Sequence, residues 1–314
     1  MRPRGAVVIP SWNSAVLLPR CLDSLIGQEG VDELLVVDNG SSDGTLDLLH
    51  ERGVDHVSLP QNVGFAAAVN LGAARTSGTA ILALNADTVL EPGAVAALLS
   101  SLGAEQLGGV QPRILQLEGD QPGNAEAARL YSTGQALTRD GRAFETGAGE
   151  VQTEAYRRPR EIFGVCGAAC LLRRELFDQL GGYDESYFAF YEDVDLNVRA
   201  RIAGWRFAYE PAAAVWHLGN ASWLAGAPRP SAWNARLVAR NRIATQAKFM
   251  PVAALPRIVA IETGALGRAV AQRRFRGTLR GKLEGVARLP RSMRERRRLG
   301  QEGDLELARR WLGA

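Results

Sequence analysis

Short apolar runs alternate with polar and helix-forming segments through the first 90 residues of the chain. The apolar runs are Gly5–Pro10, Glu33–Asp38, Val57–Leu59 and Ile81–Leu84. The segments between them, at 18–25, 45–52 and 66–75, have helical spacing of leucines or high helix propensity. Strands that alternate with helices in this way predict an α/β fold with a parallel, doubly wound sheet.

The middle of the chain is less regular. We predict a strand at Gln111–Leu117, loops or hairpins over 118–160, and a helix at Arg173–Leu180 that stops at two glycines. The apolar stretch Ile162–Leu172 contains small residues, which fit either a wall beside a ligand or close packing. A further strand is predicted at Ala208–His217.

Polar residues follow the carboxyl ends of four predicted strands. They are Ser11–Asn13, Asp38-Asn39, Asn62–Gly64 and Asn85–Asp87. These ends lie on one edge of a parallel sheet, where ligands of open α/β sheets bind. Trp12 could stack on a base and Asp38 could accept a hydrogen bond from it, although an aspartate there could also only form the turn. The pattern predicts a nucleotide pocket.

Asp87 follows the buried run Ile81–Leu84 and so lies at the mouth of the predicted sheet. A carboxylate at a strand end suits a divalent cation that also holds phosphate oxygens. The alternative is that Asp87 caps a helix beginning near Glu91. His217 follows an apolar strand in the same way, which favours a metal site shared with Asp87.

Tyr183–Arg206 is aromatic in its first part and helical in its second. The helix dipole favours acidic residues in the first turn, which include Glu192, so some of this acidic cluster needs no function. Asp195 is four residues before Arg199 and is expected to pair with it. Asp193 has no such partner, and the preceding aromatic side chains would raise the pKa of its carboxyl toward that of a useful base.

Composition and charge limit the class of protein. Of the 314 residues, 46% are hydrophobic and 23% charged, as in soluble globular proteins. Neither a transmembrane helix nor a signal peptide is expected, and three cysteines without paired metal spacing favour reduced thiols in a cytoplasm.

The charge is divided between two regions. Residues 1–223 carry 17 basic and 28 acidic side chains, a net −11, whereas residues 224–314 carry 20 and 6, a net +14. We therefore expect a domain over 1–223, which contains the predicted nucleotide and metal sites, and a basic helical region over 224–314, with helices at Ser231–Met250, Val252–Arg276 and Leu279–Arg298. The basic region is expected either to pack on the acidic body or to contact anionic lipid at the inner face of the cell membrane. No base-reading motif accompanies it, so nucleic acid is not expected as a partner.

Five motifs together resemble the family 2 glycosyltransferases, in particular their rhamnosyltransferase-like subgroup. The motifs are VVIPSWN (7–13), LLVVDNGSSDGT (34–45), NVGFAAAVNLG (62–72), LALNADT (82–88) and GGYDESYFAFYEDVDLNVRARIAGW (181–205). The resemblance covers most of residues 5–222. It implies a GT-A fold with a mostly parallel sheet flanked by helices, a nucleotide-diphosphate sugar donor, Mg²⁺ or Mn²⁺, and inversion at the anomeric carbon.

The resemblance also assigns residues to roles. Asp193 matches the general base, Asp87 the metal ligand of the Asp-x-Asp element, and His217 the histidine that completes the metal site. Asn85 stands where that element has its first aspartate. The donor side is expected to comprise Pro10, Trp12, Asn13, Asp38, Asn39, Gly64, Phe65, Asn70, Asn85, Ala86 and Asp87. The acceptor side is expected to comprise Tyr191, Glu192 and Asp193.

The implied function is transfer of rhamnose or a hexose from dTDP-rhamnose or a UDP-sugar to a saccharide or lipid-linked acceptor in cell-envelope polysaccharide synthesis. A catalytically silent sugar-nucleotide-binding scaffold of the same fold is the alternative. A nucleotidyltransferase is disfavoured, because Pro10–Asn13 is not a glycine-rich phosphate loop.

Overall fold

The computed structural model describes residues 3–103, 107–119, 122–219 and 232–299. Its strands are β1 Gly5–Ser11, β2 Val31–Asp38, β3 His56–Ser58, β4 Ala80–Leu84, β5 Thr88–Leu90, β6 Leu107–Gln116, β7 Leu130–Ser132, β8 Gln135–Leu137, β9 Ala143–Glu145, β10 Arg160–Ile162, β11 Ala169–Arg173 and β12 Arg206–His217. Its helices are α1 Leu18–Leu25, α2 Thr45–Glu51, α3 Phe65–Ala74, α4 Ala94–Ser101, α5 Arg174–Gln179, α6 Glu192–Ile202, α7 Ala232–Phe249, α8 Leu255–Ala271, α9 Phe275–Ala287 and α10 Leu289–Leu299.

The main sheet has the strand order β10-β12-β6-β11-β4-β1-β2-β3. Strands β3, β2, β1 and β4 are parallel, as the alternation of strands and helices predicts. Strand β12 is parallel to β6, and β11 joins the two parallel groups by pairing antiparallel with β4 and β6. Every residue of β4 is buried because apolar clusters cover both faces of the sheet. The predicted α/β class with a mostly parallel central sheet is confirmed.

Some element boundaries differ from the prediction. The third predicted C-terminal helix is two helices, α9 and α10, separated at Arg288. The segment 118–160, predicted as loops or hairpins, contains the short hairpin β8–β9. The structure also contains β5, which the sequence pattern did not reveal, and α4, a helix that the sequence analysis considered only as one beginning near Glu91. Three-residue strands are too short to show a hydrophobic period, and pairing partners decide them.

The C-terminal helices contact the acidic body through buried polar side chains. Lys248 of α7 places its Nζ 2.7 Å from Asp195 Oδ1 on α6 and 3.1 Å from Glu295 Oε2 on α10. Asp195 also accepts a 2.6 Å hydrogen bond from Arg199 Nε, as expected from their spacing. The predicted domain boundary at 223/224 lies outside the described residues.

Three glycines let α9 pack closely on α7. Gly277, Gly281 and Gly285 are four residues apart and lie on one face of α9. A Cβ at Gly281 would overlap the carbonyl of Arg236, and one at Gly285 would lie 2.9 Å from the carbonyl of Arg240. The backbones of the two helices therefore approach more closely than side chains at these positions would permit.

Candidate functional site

A cavity of about 360 Å³ opens at the carboxyl edge of the parallel strands. Residues from three predicted groups line it: the donor side, the metal pair and the acceptor side. Those of the predicted residues that line it are Pro10, Trp12, Asn39, Phe65, Asn85, Ala86, Asp87, Tyr191, Glu192, Asp193 and His217.

Asp87 and His217 are brought together by strand pairing. Strand β5 pairs antiparallel with the end of β12, so that Thr88 lies opposite His217. The Leu218 N–H then donates to the Asp87 carbonyl at 3.1 Å. Both side chains are buried, and Asp87 Oδ1 lies 3.2 Å from His217 Nε2. Residues 130 positions apart thus face each other in the cavity.

The metal-site interpretation of Asp87 fits this geometry, and the helix-cap alternative is wrong. Helix α4 begins at Ala94, its N-cap is Gly93, and no side chain caps it. In an octahedral site with metal–oxygen bonds of about 2.1 Å, neighbouring ligand atoms are about 3 Å apart. The separation of Asp87 Oδ1 and His217 Nε2 matches that spacing. The Asn85 amide nitrogen lies 3.3 Å from His217 Nε2, beside the same pair.

On the donor side, Asp38 is the last residue of β2, Asn39 follows it, and both are buried. One oxygen of Asp38, Oδ2, accepts from the Ser41 N–H at 3.2 Å, so the residue does shape the turn. Its other oxygen, Oδ1, is buried and has no hydrogen-bond partner among the described residues. A buried acceptor without a partner is costly unless a ligand supplies the donor.

Asn39 holds the neighbouring loop in place. Its amide donates to Asn62 Oδ1 and to the Gly64 carbonyl, both at 3.1 Å, and its Oδ1 accepts from the Val63 N–H at 2.8 Å. Gly64 has φ +96°, and a Cβ there would lie 2.5 Å from the Phe188 carbonyl. Glycine is therefore needed for the contact with the loop that contains Phe188.

Within the described ranges, four predicted donor-side residues do not line this cavity: Asn13, Asp38, Gly64 and Asn70. Asp38 and Gly64 adjoin lining residues. Asn13 binds the loop after β2, accepting from the Ser42 N–H at 2.8 Å. Asn70 bonds the Tyr183 backbone, with its Oδ1 2.9 Å from the Tyr183 nitrogen. The structure thus gives Asn13 and Asn70 contacts that hold loops rather than contacts with the cavity.

Asp193 enters the cavity from the first turn of α6. Its Oδ2 accepts from Gln135 Nε2 at 2.7 Å and from the Gly167 N–H at 2.9 Å, and its Oδ1 accepts from the Val194 N–H at 2.8 Å. Burial raises the pKa of Asp193, although these hydrogen bonds act in the opposite direction. Burial, followed by the charge of Asp193, raises the pKa of Glu192 well above its usual value.

The backbone ahead of α6 is strained. Phe188, Phe190 and Tyr191 have φ of +65°, +66° and +71°. Phe188, with ψ −64°, is the centre of a γ-turn closed by a 2.8 Å bond from the Ala189 N–H to the Tyr187 carbonyl. Such conformations cost about 1–3 kcal/mol per residue and persist only where the surroundings fix them. These residues form one wall of the cavity.

The lining residues that the sequence analysis missed include Tyr131, Gln135 and Glu145. Gln135 Nε2 donates to Asp193 and to Glu145 Oε1, the latter at 3.1 Å. Asn197 fixes the orientation of this amide by donating to Gln135 Oε1 at 2.9 Å. Tyr131, Gln135 and Glu145 all come from the segment 118–160, where no motif or periodicity signalled them.

A second group of metal-ligand atoms lies beside Asp193. Glu145, Cys166 and Asp193 each offer one atom, and the three atoms lie within 4.8 Å of one another. Burial raises the pKa of the Cys166 thiol, which keeps it protonated and a poor ligand. Burial and then the charge of Asp193 raise the pKa of Glu145 to about 7. Mg²⁺ and Mn²⁺ both suit oxygen ligands, an imidazole ligand favours Mn²⁺ of the two, and neither cation suits a protonated thiol, so Asp87 and His217 fit these cations better.

Comparison with known proteins identifies the family and the fold of this chain. Residues 6–181 match the model of the family described as "Glycosyl transferase family 2". Solved structures with the same fold include GalNAc-T7 with UDP, GalNAc and Mn²⁺, with a TM-score of 0.61, 17% identity, and coverage of 79% of this chain and 48% of that chain. Another is the mannosyltransferase PcManGT from Pyrobaculum calidifontis with GDP-Man and Mn²⁺, with a TM-score of 0.52, 17% identity and coverage of 95% and 85%. The fold is that of the GT-A glycosyltransferases.

Similar sequences agree with the family match. One is an N-acetylglucosaminyl-diphospho-decaprenol L-rhamnosyltransferase of Mycobacterium tuberculosis, 31% identical over 67% of this chain and 75% of the relative. Another is a PGL/p-HBAD biosynthesis glycosyltransferase of Mycobacterium bovis, 30% identical over 63% of this chain and 69% of the relative. The chain belongs to glycosyl transferase family 2 and is a glycosyltransferase.

Proposed function

We propose that this glycosyltransferase transfers rhamnose or a hexose, with inversion, from a dTDP- or UDP-linked donor to a saccharide or lipid-linked acceptor in cell-envelope synthesis. The observation that carries the proposal is the meeting of Asp87 and His217, 3.2 Å apart, in a cavity that Asp193 enters from another wall. The L-rhamnosyl and decaprenol parts of the mycobacterial relative's name support this choice of donor and acceptor.

The donor nucleotide would bind at the ends of β1 and β2. The Trp12 ring in the cavity wall offers a stacking surface for the base, and the buried Asp38 Oδ1 offers an acceptor for a base N–H. Asp87 and His217 would hold Mg²⁺ or Mn²⁺ at the diphosphate. When bound, the cation supplies positive charge that stabilises the departing nucleoside diphosphate.

The acceptor would bind against Tyr191 and Glu192. Its hydroxyl oxygen forms a bond to the anomeric carbon while the bond from that carbon to the diphosphate oxygen breaks, and the electron pair leaves with the diphosphate. Asp193 takes the hydroxyl proton on its carboxylate. One displacement inverts the anomeric centre, so a single carboxylate base suffices. Glu192, whose pKa is well raised, would stay protonated and donate a hydrogen bond to the substrate.

We also propose that the basic region contacts an anionic membrane through α8. Leu255, Val259 and Val270 are more than half exposed and lie within about 60° of one another on the helix, at 100° per residue. The outward half of α8 carries no charged side chain, while Arg257 and Arg268 lie at one edge of it. This arrangement suits a helix lying in the headgroup region of an anionic bilayer. In the described part of the chain, no helix is both long and apolar enough to span a bilayer.

Release of nucleoside diphosphate from dTDP-rhamnose and UDP-hexoses by the purified protein, with Mn²⁺ and a saccharide acceptor, tests the catalytic proposal. Asp193→Asn should lower the rate by about 10²- to 10⁴-fold while nucleotide affinity is retained, because only the base is lost. Asp87→Asn and EDTA should instead weaken the Mn²⁺-dependent binding of nucleotide. Asp178→Asn, which changes an exposed carboxylate on α5, is the matched control and should leave the rate and the Mn²⁺-dependent nucleotide binding unchanged.

Two results would contradict the catalytic proposal. Wild-type protein that binds nucleotide sugars but never releases or transfers the sugar would be the silent scaffold. Full activity of Asp193→Asn would remove that residue from the reaction.

A further inference from the structure

The strained loop Tyr187–Tyr191 is held by one amide of the C-terminal region. Asn241 is buried on α7, and its Nδ2 lies 2.9 Å from the Tyr187 carbonyl, 2.9 Å from the Ala189 carbonyl and 2.7 Å from the Phe190 carbonyl. These carbonyls belong to the residues on either side of the γ-turn and to one of the residues with positive φ. A single side chain therefore contacts three of the five carbonyls of the loop.

The orientation of this amide is itself fixed. Arg240 Nε donates to Asn241 Oδ1 at 2.8 Å, which directs the amide nitrogen toward the loop. The Arg240 guanidinium also donates to the Tyr187 carbonyl at 2.7 Å. The Tyr187 carbonyl thus accepts from Arg240, from Asn241 and from the Ala189 N–H.

The loop connects the two sides of the cavity. The Phe188 carbonyl accepts from the Ala66 N–H of α3 at 3.2 Å, next to the donor-side glycine Gly64. At its other end, the Tyr191 carbonyl accepts from the Asp195 N–H at 2.9 Å, in the first turn of α6. A change in the loop would move the acceptor wall and the start of the helix that carries Asp193.

We propose that Asn241 is a positioning residue, which holds the Tyr187–Tyr191 loop in the strained conformation that forms the acceptor wall and sets the start of α6. This inference rests on the proposed role of Asp193 as the base. It makes the first helix of the basic region part of the catalytic unit. A strained loop without such donors would relax toward negative φ, because nothing else in its sequence favours the left-handed region.

The experiment compares Asn241→Ala and Asn241→Asp with the wild type in the full-length protein. Asp has the size of Asn and can still accept from Arg240, but it cannot donate to the three carbonyls. Both variants should lower kcat/KM for the acceptor by about 10- to 100-fold through misplacement of reacting groups. Nucleotide affinity should stay within about twofold, because the donor-side contacts of Asp38 and Trp12 are untouched.

Hydrogen–deuterium exchange of the peptide covering 187–192 gives a readout that does not depend on activity. Exchange should become faster in both variants. It should stay unchanged in the control Arg236→Gln, which removes the 2.7 Å ion pair between Arg236 on α7 and Glu284 on α9, outside the loop. Asn241→Ser, which keeps one donor, should give an intermediate effect and replaces the alanine variant if that variant does not fold.

The outcomes separate the two proposals. Normal exchange, or fast exchange with normal acceptor kinetics, would overturn the positioning role and leave the proposed function standing. A lower melting temperature with unchanged kinetics would also overturn it, since the role would then be only structural. If the wild type transfers no sugar, the proposed function fails. The positioning role then fails as well, because there is no acceptor reaction for the loop to support. Fast exchange in the Asn241 variants would in that case show only that Asn241 holds the loop.

Discussion

Asp193 accepts three hydrogen bonds and still has a raised pKa, because burial disfavours its charged form more than the donors favour it. Glu145 shares the Gln135 amide with it and is the second acid of a coupled pair. Two neighbouring carboxyl groups in a partly dry cavity do not both ionise easily, so the cavity holds protons at neutral pH that the unfolded chain would release.

Glu145 therefore gives the protein a pH-dependent stability. Its pKa rises from 4.5 in the unfolded chain to about 7 in the fold. A raised carboxyl pKa stabilises the fold fully below pH 4.5, and this stabilisation is lost as the pH rises through 7. Glu145→Gln cannot lose a proton, so its stability relative to the wild type should increase from pH 5 to pH 8, by up to about 3 kcal/mol.

Melting temperatures of the wild type and of Glu145→Gln between pH 5 and pH 8 measure the difference in their stability. Glu150→Gln is the matched control, since Glu150 is an exposed carboxylate only a few residues along the chain. Its difference from the wild type should not vary with pH. A difference for Glu145→Gln that is equally flat would show that Glu145 titrates near its ordinary pKa.

At the scale of the elements, the site depends on pairings between short strands and on close helix contacts. Strand β5 has three residues, yet its pairing with β12 sets Asp87 against His217. The hairpin β8–β9 delivers Gln135 and Glu145. The contact between α7 and α9, made possible by glycines, supports the helix from which Asn241 reaches the acceptor loop.

Two glycine-to-alanine changes should have opposite effects on stability. Gly281→Ala on α9 would place a Cβ against the Arg236 carbonyl and force α7 and α9 apart. It should lower the free energy of unfolding by about 1–3 kcal/mol. Gly267→Ala on α8 meets nothing within 4 Å and should raise it by about 0.5–1 kcal/mol, because alanine favours the helix. Chemical denaturation of the two variants measures the free energy of unfolding of each. An equal change in that free energy for Gly281→Ala and Gly267→Ala would contradict the packing of α9 on α7.

The whole molecule has an acidic body and a basic C-terminal region, and the structure shows how the two meet. Part of the basic charge is neutralised within the fold, as in the buried cluster of Lys248 with Asp195 and Glu295. Arg257 and Arg268 instead lie beside the uncharged outward face of α8. Packing on the body is therefore observed for α7, whereas lipid contact through α8 stays a proposal.

Binding to vesicles tests the lipid contact. The protein should co-sediment with vesicles containing phosphatidylglycerol, less with phosphatidylcholine alone, and less at high salt. Val259→Asp should weaken this binding several-fold by placing a charge on the apolar face of α8. Val151→Asp is the matched control, because Val151 on the body is 58% exposed and Val259 is 56% exposed. Equal loss in both variants, or no binding by the wild type, would contradict the proposal.

Residue patterns alone predicted the α/β class, the parallel pairing of the early strands and the family. Those features depend on local patterns: apolar runs, turn residues and motifs contained within short segments. The sequence also predicted Asp87, Asp193 and His217 as site residues, and all three line one cavity. Their roles in metal binding and catalysis stay predictions.

Contacts between distant segments became known only from the folded chain. The 3.2 Å approach of Asp87 to His217, the Gln135 and Glu145 network around Asp193, and the Asn241 contacts with the acceptor loop all cross between elements far apart in the chain. Gln135, Glu145 and Asn241 are ordinary polar residues in unpatterned or helical sequence. Their chemistry follows from burial and from the partners that the fold supplies, and local sequence encodes neither.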